Sequence, residues 1–267
     1  MRSRVDALSV MVVVAALGLG CDDPAPQKSE VPAEKPAAPA PKLEPPPAPQ
    51  AEAAPEKVEK AEKKPVTCPP APKVLFTDAA LEKEVRRKAS KPEGELTLAD
   101  IKKVRSVDLT RGGAEIESLD PCAFPLLTSL HHLYVGKGNI TDLSPLKGLK
   151  SIEGLRISMN PVADITPLAG MLAMDRLDLG RTQVRDLTPL KKMTKMTELM
   201  LDDTPVEDLA PLASLSSLER LSIKRTRVSD LSPLKGLRKL KFLYVGGSPV
   251  ESAGGLARPG LKISSED

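Results

Sequence analysis

Apolar residues recur along the chain in one strict pattern from Leu130 to Leu240. Units begin at Leu130, Ile152, Met174, Met196, Leu218 and Leu240, so the sequence keeps one period from each start to the next. Within each unit the apolar positions are 1, 4, 6, 11, 14, 17 and 20, as in Leu218, Leu221, Ile223, Val228, Leu231, Leu234 and Leu237. Positions 4 and 6 alternate as a strand does, and a fixed period stacks such strands in parallel. The run Asp-Leu-(Ser/Thr/Ala)-Pro-Leu that follows predicts a return turn. Its hydroxyls, Ser144, Thr166, Thr188 and Ser232, are placed to cap a short helical turn whose first residue is proline, and Ala210 predicts a weaker cap. The preceding aspartates, Asp142, Asp164, Asp186, Asp208 and Asp230, read as backbone-bonding groups rather than a cation ladder. Position 9 (Gly138, Asn160, Thr182, Thr204, Thr226 and Ser248) reads as another backbone-bonding column, in which Gly138 has nothing to offer.

This unit resembles the leucine-rich repeat of the 22-residue bacterial class, as in internalin-like proteins, over Val74 to the C-terminus. The resemblance implies an α/β solenoid: a curved stack of about seven repeats with a concave parallel sheet and short convex-side turns. The repeats are expected over residues 104–251, with an irregular first unit starting at Val104 that is four residues longer than the rest. Residues 74–103 predict a helical N-terminal cap. Thr77 or Asp78 starts a helix over Ala79–Ala89, and Thr97 with Asp100 forms a capping box at a second. Residues 252–267 predict a short C-terminal cap in which Leu256, Leu261 and Ile263 cover part of the last repeat.

Residues 1–73 are of another kind. Residues 1–20 carry Arg2 and Arg4 before an apolar run, Ala7–Leu19, broken by Ser9 and too short for the about 20 residues a bilayer span requires. The segment ends Leu17-Gly18-Leu19-Gly20-Cys21 and resembles a bacterial lipobox, although Gly18 stands where leucine is usual. The resemblance implies acyl chains on Cys21 and a membrane anchor. Residues 21–73 follow as a Pro/Ala/Lys/Glu-rich stretch holding 15 of the 27 prolines, a composition that predicts a disordered tether. The expected location is therefore the bacterial cell envelope. Asp22 and Asp23 resemble a retention signal that is not general, so the choice of membrane stays open.

Composition narrows the chemistry. Aromatic residues make up 2% of the chain, so the core must be aliphatic, and a net charge of +3 gives no reason to expect nucleic acid. No zinc, P-loop or serine-elbow motif occurs. His131 and His132 are adjacent and point to opposite faces of a strand. We therefore expect no enzyme, no metal and no cofactor. With Cys21 lipidated, Cys68 and Cys122 remain as an even pair in an oxidising compartment, a candidate disulfide that would staple the tether to the cap.

What is left is surface. Positions 3, 5, 7 and 8 are expected to be exposed on the concave face. Positions 3 and 5 supply the candidate binding residues His132, Tyr134, Arg156, Arg176, Asp178, Glu198, Met200, Arg220, Phe242 and Tyr244. Aromatic and arginine side chains anchor interfaces, and seven strands make a sheet about 30 Å wide. The mixed charges favour a protein or peptide of the envelope over a polyanion. The chain then reads as a monomeric, membrane-tethered binding module. A structural spacer without one ligand and a glycan- or cell-wall-binding module are the alternatives.

Overall fold

In a computed structural model, the described residues are Cys68, 74–112, 115–250 and 255–266. The leader, Cys21 and the tether, apart from Cys68, lie outside them. The described part falls within one compact unit, Glu62–Asp267.

Eight strands make one parallel sheet in sequence order: β1 (Ser106–Asp108), β2 (His132–Tyr134), β3 (Gly154–Arg156), β4 (Arg176–Asp178), β5 (Glu198–Met200), β6 (Arg220–Ser222), β7 (Phe242–Tyr244) and β8 (Lys262–Ser264). From β1 to β7 the register aligns like positions, with Leu133, Leu155, Leu177, Leu199, Leu221 and Leu243 stacked in one inward row. Each is at most 2% exposed, because the central residue of a three-residue strand is the one that faces the core. The core runs as one aliphatic cluster from Leu81 to Leu256, and Phe124 is its one fully buried ring among the described residues.

The eighth strand was not expected: the sequence suggested only a covering tail. Lys262 pairs with Phe242 two positions earlier than the period would place a partner, which is why the periodic pattern missed it. The Arg258 guanidinium donates to the carbonyls of Leu237 and Leu240, closing the last turn.

Single turns of 3-10 helix, such as Ser144–Leu146 and Thr188–Leu190, form the return limb. Here the expected caps are corrected. The hydroxyl residues are the first residues of these turns and do not cap them. The aspartate two residues earlier does. Asp142, Asp164, Asp186, Asp208 and Asp230 each accept the backbone N–H two residues on, at 2.7–2.8 Å. Serine or threonine then donates its hydroxyl to the same carboxylate, as Ser144 and Ser232 do. Ala210 keeps the 2.7 Å backbone bond and lacks only that second one, so its turn is not left uncapped. The reason is reach: an Asx turn places a carboxylate on the i+2 N–H, whereas a hydroxyl on the first helical residue cannot fold back onto its own turn.

The position 9 column is inward and bonded as expected. Thr182, Thr204 and Thr226 donate to the carbonyls of Leu179, Leu201 and Ile223, and Asn160 donates to Gly136 and Ser158. Gly138 has a different role. A Cβ there would lie 2.1 Å from the Ile116 carbonyl oxygen, so the irregular first repeat presses its backbone into the place a side chain would take.

The N-terminal cap is helix α1 (Ala79–Ala89) followed by a single turn, α2 (Leu98–Ile101). Asp78 caps α1 by accepting from Ala80 and Leu81, and Thr97 with Asp100 completes the reciprocal box. Lys91 lies 2.9 Å from Asp100 and, with the Thr97 hydroxyl and N–H, holds that carboxyl far below the usual range. α1 lies along β1 and covers the start of the sheet. Lys88 donates to the Ser106 hydroxyl, and the Asp108 N–H of the edge strand donates to Glu84.

One carboxylate joins cap to repeats. Asp120 is 2% exposed and accepts four backbone N–H bonds: Cys122 and Ala123 at 2.9 Å, Thr77 at 2.5 Å and Asp78 at 3.2 Å. It stands one full period before Asp142, in the same column. Its second oxygen, given to a hydroxyl at Asp142 and Asp230, is here given to the cap. Beside it, Cys68 and Cys122 are joined by a disulfide with Cα atoms 5.4 Å apart.

Candidate concave recognition face

The strand backbone fixes which side chains reach the concave surface: the two that flank each buried leucine. All ten candidate residues fall there, at strand positions 3 and 5. Arg156, Arg176 and Arg220 are exposed. Tyr134 is 39% exposed, and His132, Asp178, Glu198, Met200, Phe242 and Tyr244 are half-buried.

Two expectations about the face are corrected. Position 7 is not a uniformly exposed column, since Ser158, Gly180 and Gly246 are buried. The chain there bends inward toward position 8, where Met159, Arg181, Asp203 and Arg225 have φ between 51 and 61°. That left-handed backbone costs about 1 kcal/mol in a residue with a Cβ. It is held by a bond to the next repeat, such as Arg181 N–H to the Asp202 carbonyl at 2.7 Å. Positions 3 and 5 are not uniform either, because Gly154 and Ser222 are buried.

Gly154 matters most for shape. It breaks a row of larger side chains and leaves a groove of about 590 Å³ lined by His132, Tyr134, Arg156, Arg176, Asp178, Glu198 and Met200, among others. Seven of the ten candidates therefore share one hollow. Its near wall is the His132 ring, parallel to Tyr134 at 6.3 Å. Histidine Nδ1 is buried with no hydrogen-bond partner among the described residues, 2.7 Å from where a Cβ on Gly154 would stand. His131 instead faces away and bonds the Ser129 carbonyl.

The charges on the face pair with one another. Arg156 meets Asp178 at 3.3 Å, Arg220 meets Glu198 at 3.2 Å, and Arg225 meets Asp203 at 2.6 Å. The Arg225 guanidinium, with Arg181 on its other side, holds the Asp203 carboxyl below its ordinary value. Each of these pairs joins the same position of successive repeats, one period apart.

The remaining aromatic candidates lie elsewhere. Phe242 and Tyr244 are on β7, five strand spacings or about 24 Å from Tyr134. Phe242 has Arg220 at 5.4 Å and Lys262 at 5.9 Å from its ring centre, and Tyr244 has Lys224 at 5.8 Å. The three tyrosine and phenylalanine rings of the face thus form two separate anchors. Among the described residues no cluster of three metal-ligating side chains occurs, and no helix is long and apolar enough to cross a membrane.

Solved structures share this architecture. An internalin C2 from Listeria monocytogenes is 26% identical, with a TM-score of 0.57, covering 72% of this chain and 95% of its own. An internalin of the F type from the same organism is 24% identical, with a TM-score of 0.56 over 69% of this chain and 61% of that one. A leucine-rich-repeat protein of Leptospira interrogans, 18% identical with a TM-score of 0.50 over 62% of this chain and 50% of that one, shows the fold alone. No family model matches the chain, and no curated protein does. The chain is a leucine-rich-repeat solenoid with a concave parallel sheet, similar in architecture to these internalins.

Proposed function

We propose that this chain is a protein-recognition module of the bacterial envelope, anchored by lipid on Cys21, whose concave face takes a segment of a partner protein. The observation that carries the reading is the hollow over Gly154: a built depression, walled by an exposed tyrosine and two exposed arginines, on the face that the strands present. Interfaces of this kind centre on aromatic and arginine side chains set in a pocket. The tether composition of residues 21–73 supports a module held at a distance from its membrane.

A spacer function has one observation in its favour, the internal pairing of the charges on the face, since paired charges have less to offer a ligand. Affinity capture from solubilised envelope separates the two. We expect the full-length protein to retain a partner that the Tyr134→Ala, Arg156→Glu variant loses while its melting temperature is unchanged. Equal retention by both moves the site off this face, and growth defects that follow deletion but not these substitutions favour the spacer. Detergent phase partitioning of wild type against Cys21→Ser tests the anchor.

A further inference from the structure

We infer that the C-terminal end of the concave face, over β6 to β8, is an acceptor site for an acidic segment of the partner protein. The inference rests on the concave face being the working surface, and it assigns the chemistry of one end of it. Arg220, Phe242 and Lys262 are aligned at the same register position of three adjacent strands. Phe242 is flanked by both cations, and Lys224 stands over the Tyr244 ring.

What sets the two lysines of this end apart from the arginines of the face is the absence of an ion pair among the described residues. Arg156, Arg181, Arg220 and Arg225 each lie against a carboxylate. Among the described residues Lys224 and Lys262 have no carboxylate within ion-pair distance, and their ammonium groups lie over aromatic rings. A ring face attracts an ammonium and leaves its outer hemisphere open to an anion. The two ammoniums therefore present positive charge outside any ion pair of the described residues, while the Gly154 hollow at the other end is walled by Glu153, Asp175, Asp178 and Glu198 as well as by arginine. Aspartate or glutamate side chains fit the lysine end, with apolar flanks of the same segment on the exposed edges of Phe242 and Tyr244. A flat aromatic surface with isolated cations suits carboxylates spaced along a peptide more than the close-set phosphates of a nucleic acid, whose affinity scales with the number of phosphates neutralised.

The test is fluorescence anisotropy with the full-length protein in detergent, using a labelled peptide of about a dozen alternating glutamates and glycines. A lysine–glycine peptide of equal length and a single-stranded oligonucleotide serve as the comparison probes. We expect the glutamate peptide to bind best, with an affinity that falls as salt is raised. Lys224→Gln with Lys262→Gln should weaken it about tenfold. Lys224→Arg with Lys262→Arg should restore it, and Lys192→Gln, on an exposed convex-side residue, should change nothing. Binding of the oligonucleotide or the lysine peptide as tightly as the glutamate peptide would overturn the inference, and so would a glutamine pair that binds as the parent does. The Tyr134→Ala, Arg156→Glu variant acts at the opposite end. A partner lost by that variant but insensitive to the lysine substitutions would leave the recognition face standing and remove only its acidic ligand.

Discussion

Replacing Asp120 by alanine takes one acceptor from four backbone donors, two in each of the elements it joins. The N–H groups of Cys122 and Ala123 are buried, and a buried orphan donor costs about 1–3 kcal/mol. Those of Thr77 and Asp78 lie nearer solvent, where water replaces part of the loss. Against this, the desolvation of a carboxylate that is 2% exposed is relieved. The net expectation is a loss of about 3 kcal/mol, from two buried orphan donors less that relief. In a unit of about 200 residues that is a fall of about 6–12 °C in melting temperature. The internal standard is Asp142→Ala, which removes the equivalent aspartate one repeat later. There the donors are exposed, and the loss should be about 1 kcal/mol, as for an ordinary helix cap. Asp120→Asn keeps one oxygen for Cys122 and Ala123 and should fall between them. Urea unfolding followed by far-ultraviolet circular dichroism, with the disulfide intact in every variant, gives all three values. If Asp120→Ala and Asp142→Ala agree within about 0.5 kcal/mol, the ordinary scatter of surface substitutions, Asp120 is one more turn aspartate and does not join the cap to the repeats.

Two further outcomes follow from the geometry. Gly154→Ala places a methyl 2.7 Å from Nδ1 of His132, so the ring must turn aside at a cost of about 1 kcal/mol, while partner capture drops as the hollow fills; an unchanged partner affinity by titration calorimetry would show that the hollow is not used. The pH dependence has a defined sign. Hydroxyl and backbone donors at Thr188 and Ser232 hold Asp186 and Asp230 below the ordinary range, Arg225 does so at Asp203, and Thr110 does so at Asp108. Carboxyls with lowered folded values contribute fully above the unfolded value of about 3.9 and lose that contribution as pH falls through the folded values. Melting temperature should therefore be flat from about pH 7 to 5 and decline below about pH 4; a decline centred near pH 6 would contradict this assignment.

The strands, their register and the candidate face were legible because one period governs them. Leu221 and Ile223 mark a strand in the sequence, and the same offset marks every other copy. What the period could not show lies where it breaks. β8 arrives two residues early, and the first repeat crowds Gly138 with its own backbone. Asp120 kept its column yet took a new partner, since Thr77 and Asp78 approach it only in three dimensions. Arg181 and Asp203 gave no hint of a left-handed backbone, because that geometry comes from the turn and not from the side chain. The hollow over Gly154 was invisible for the opposite reason: a missing side chain has no signature in a list of candidates.

Position 3 of β4 to β6 reads Arg176, Glu198, Arg220, and position 8 of the same three repeats reads Arg181, Asp203, Arg225. Both rows alternate in sign, and a single repeat, the one starting at Met196, supplies both acids. Excising that repeat in register would set Arg176 against Arg220 and Arg181 against Arg225 one strand spacing apart. Duplicating it would set acid against acid in both rows. Solenoids grow and shrink by whole repeats, but here gain or loss of one unit is opposed twice over, whereas adding a plus–minus couplet preserves both rows. The arrangement of charge makes repeat number at the centre of this protein a matter of parity.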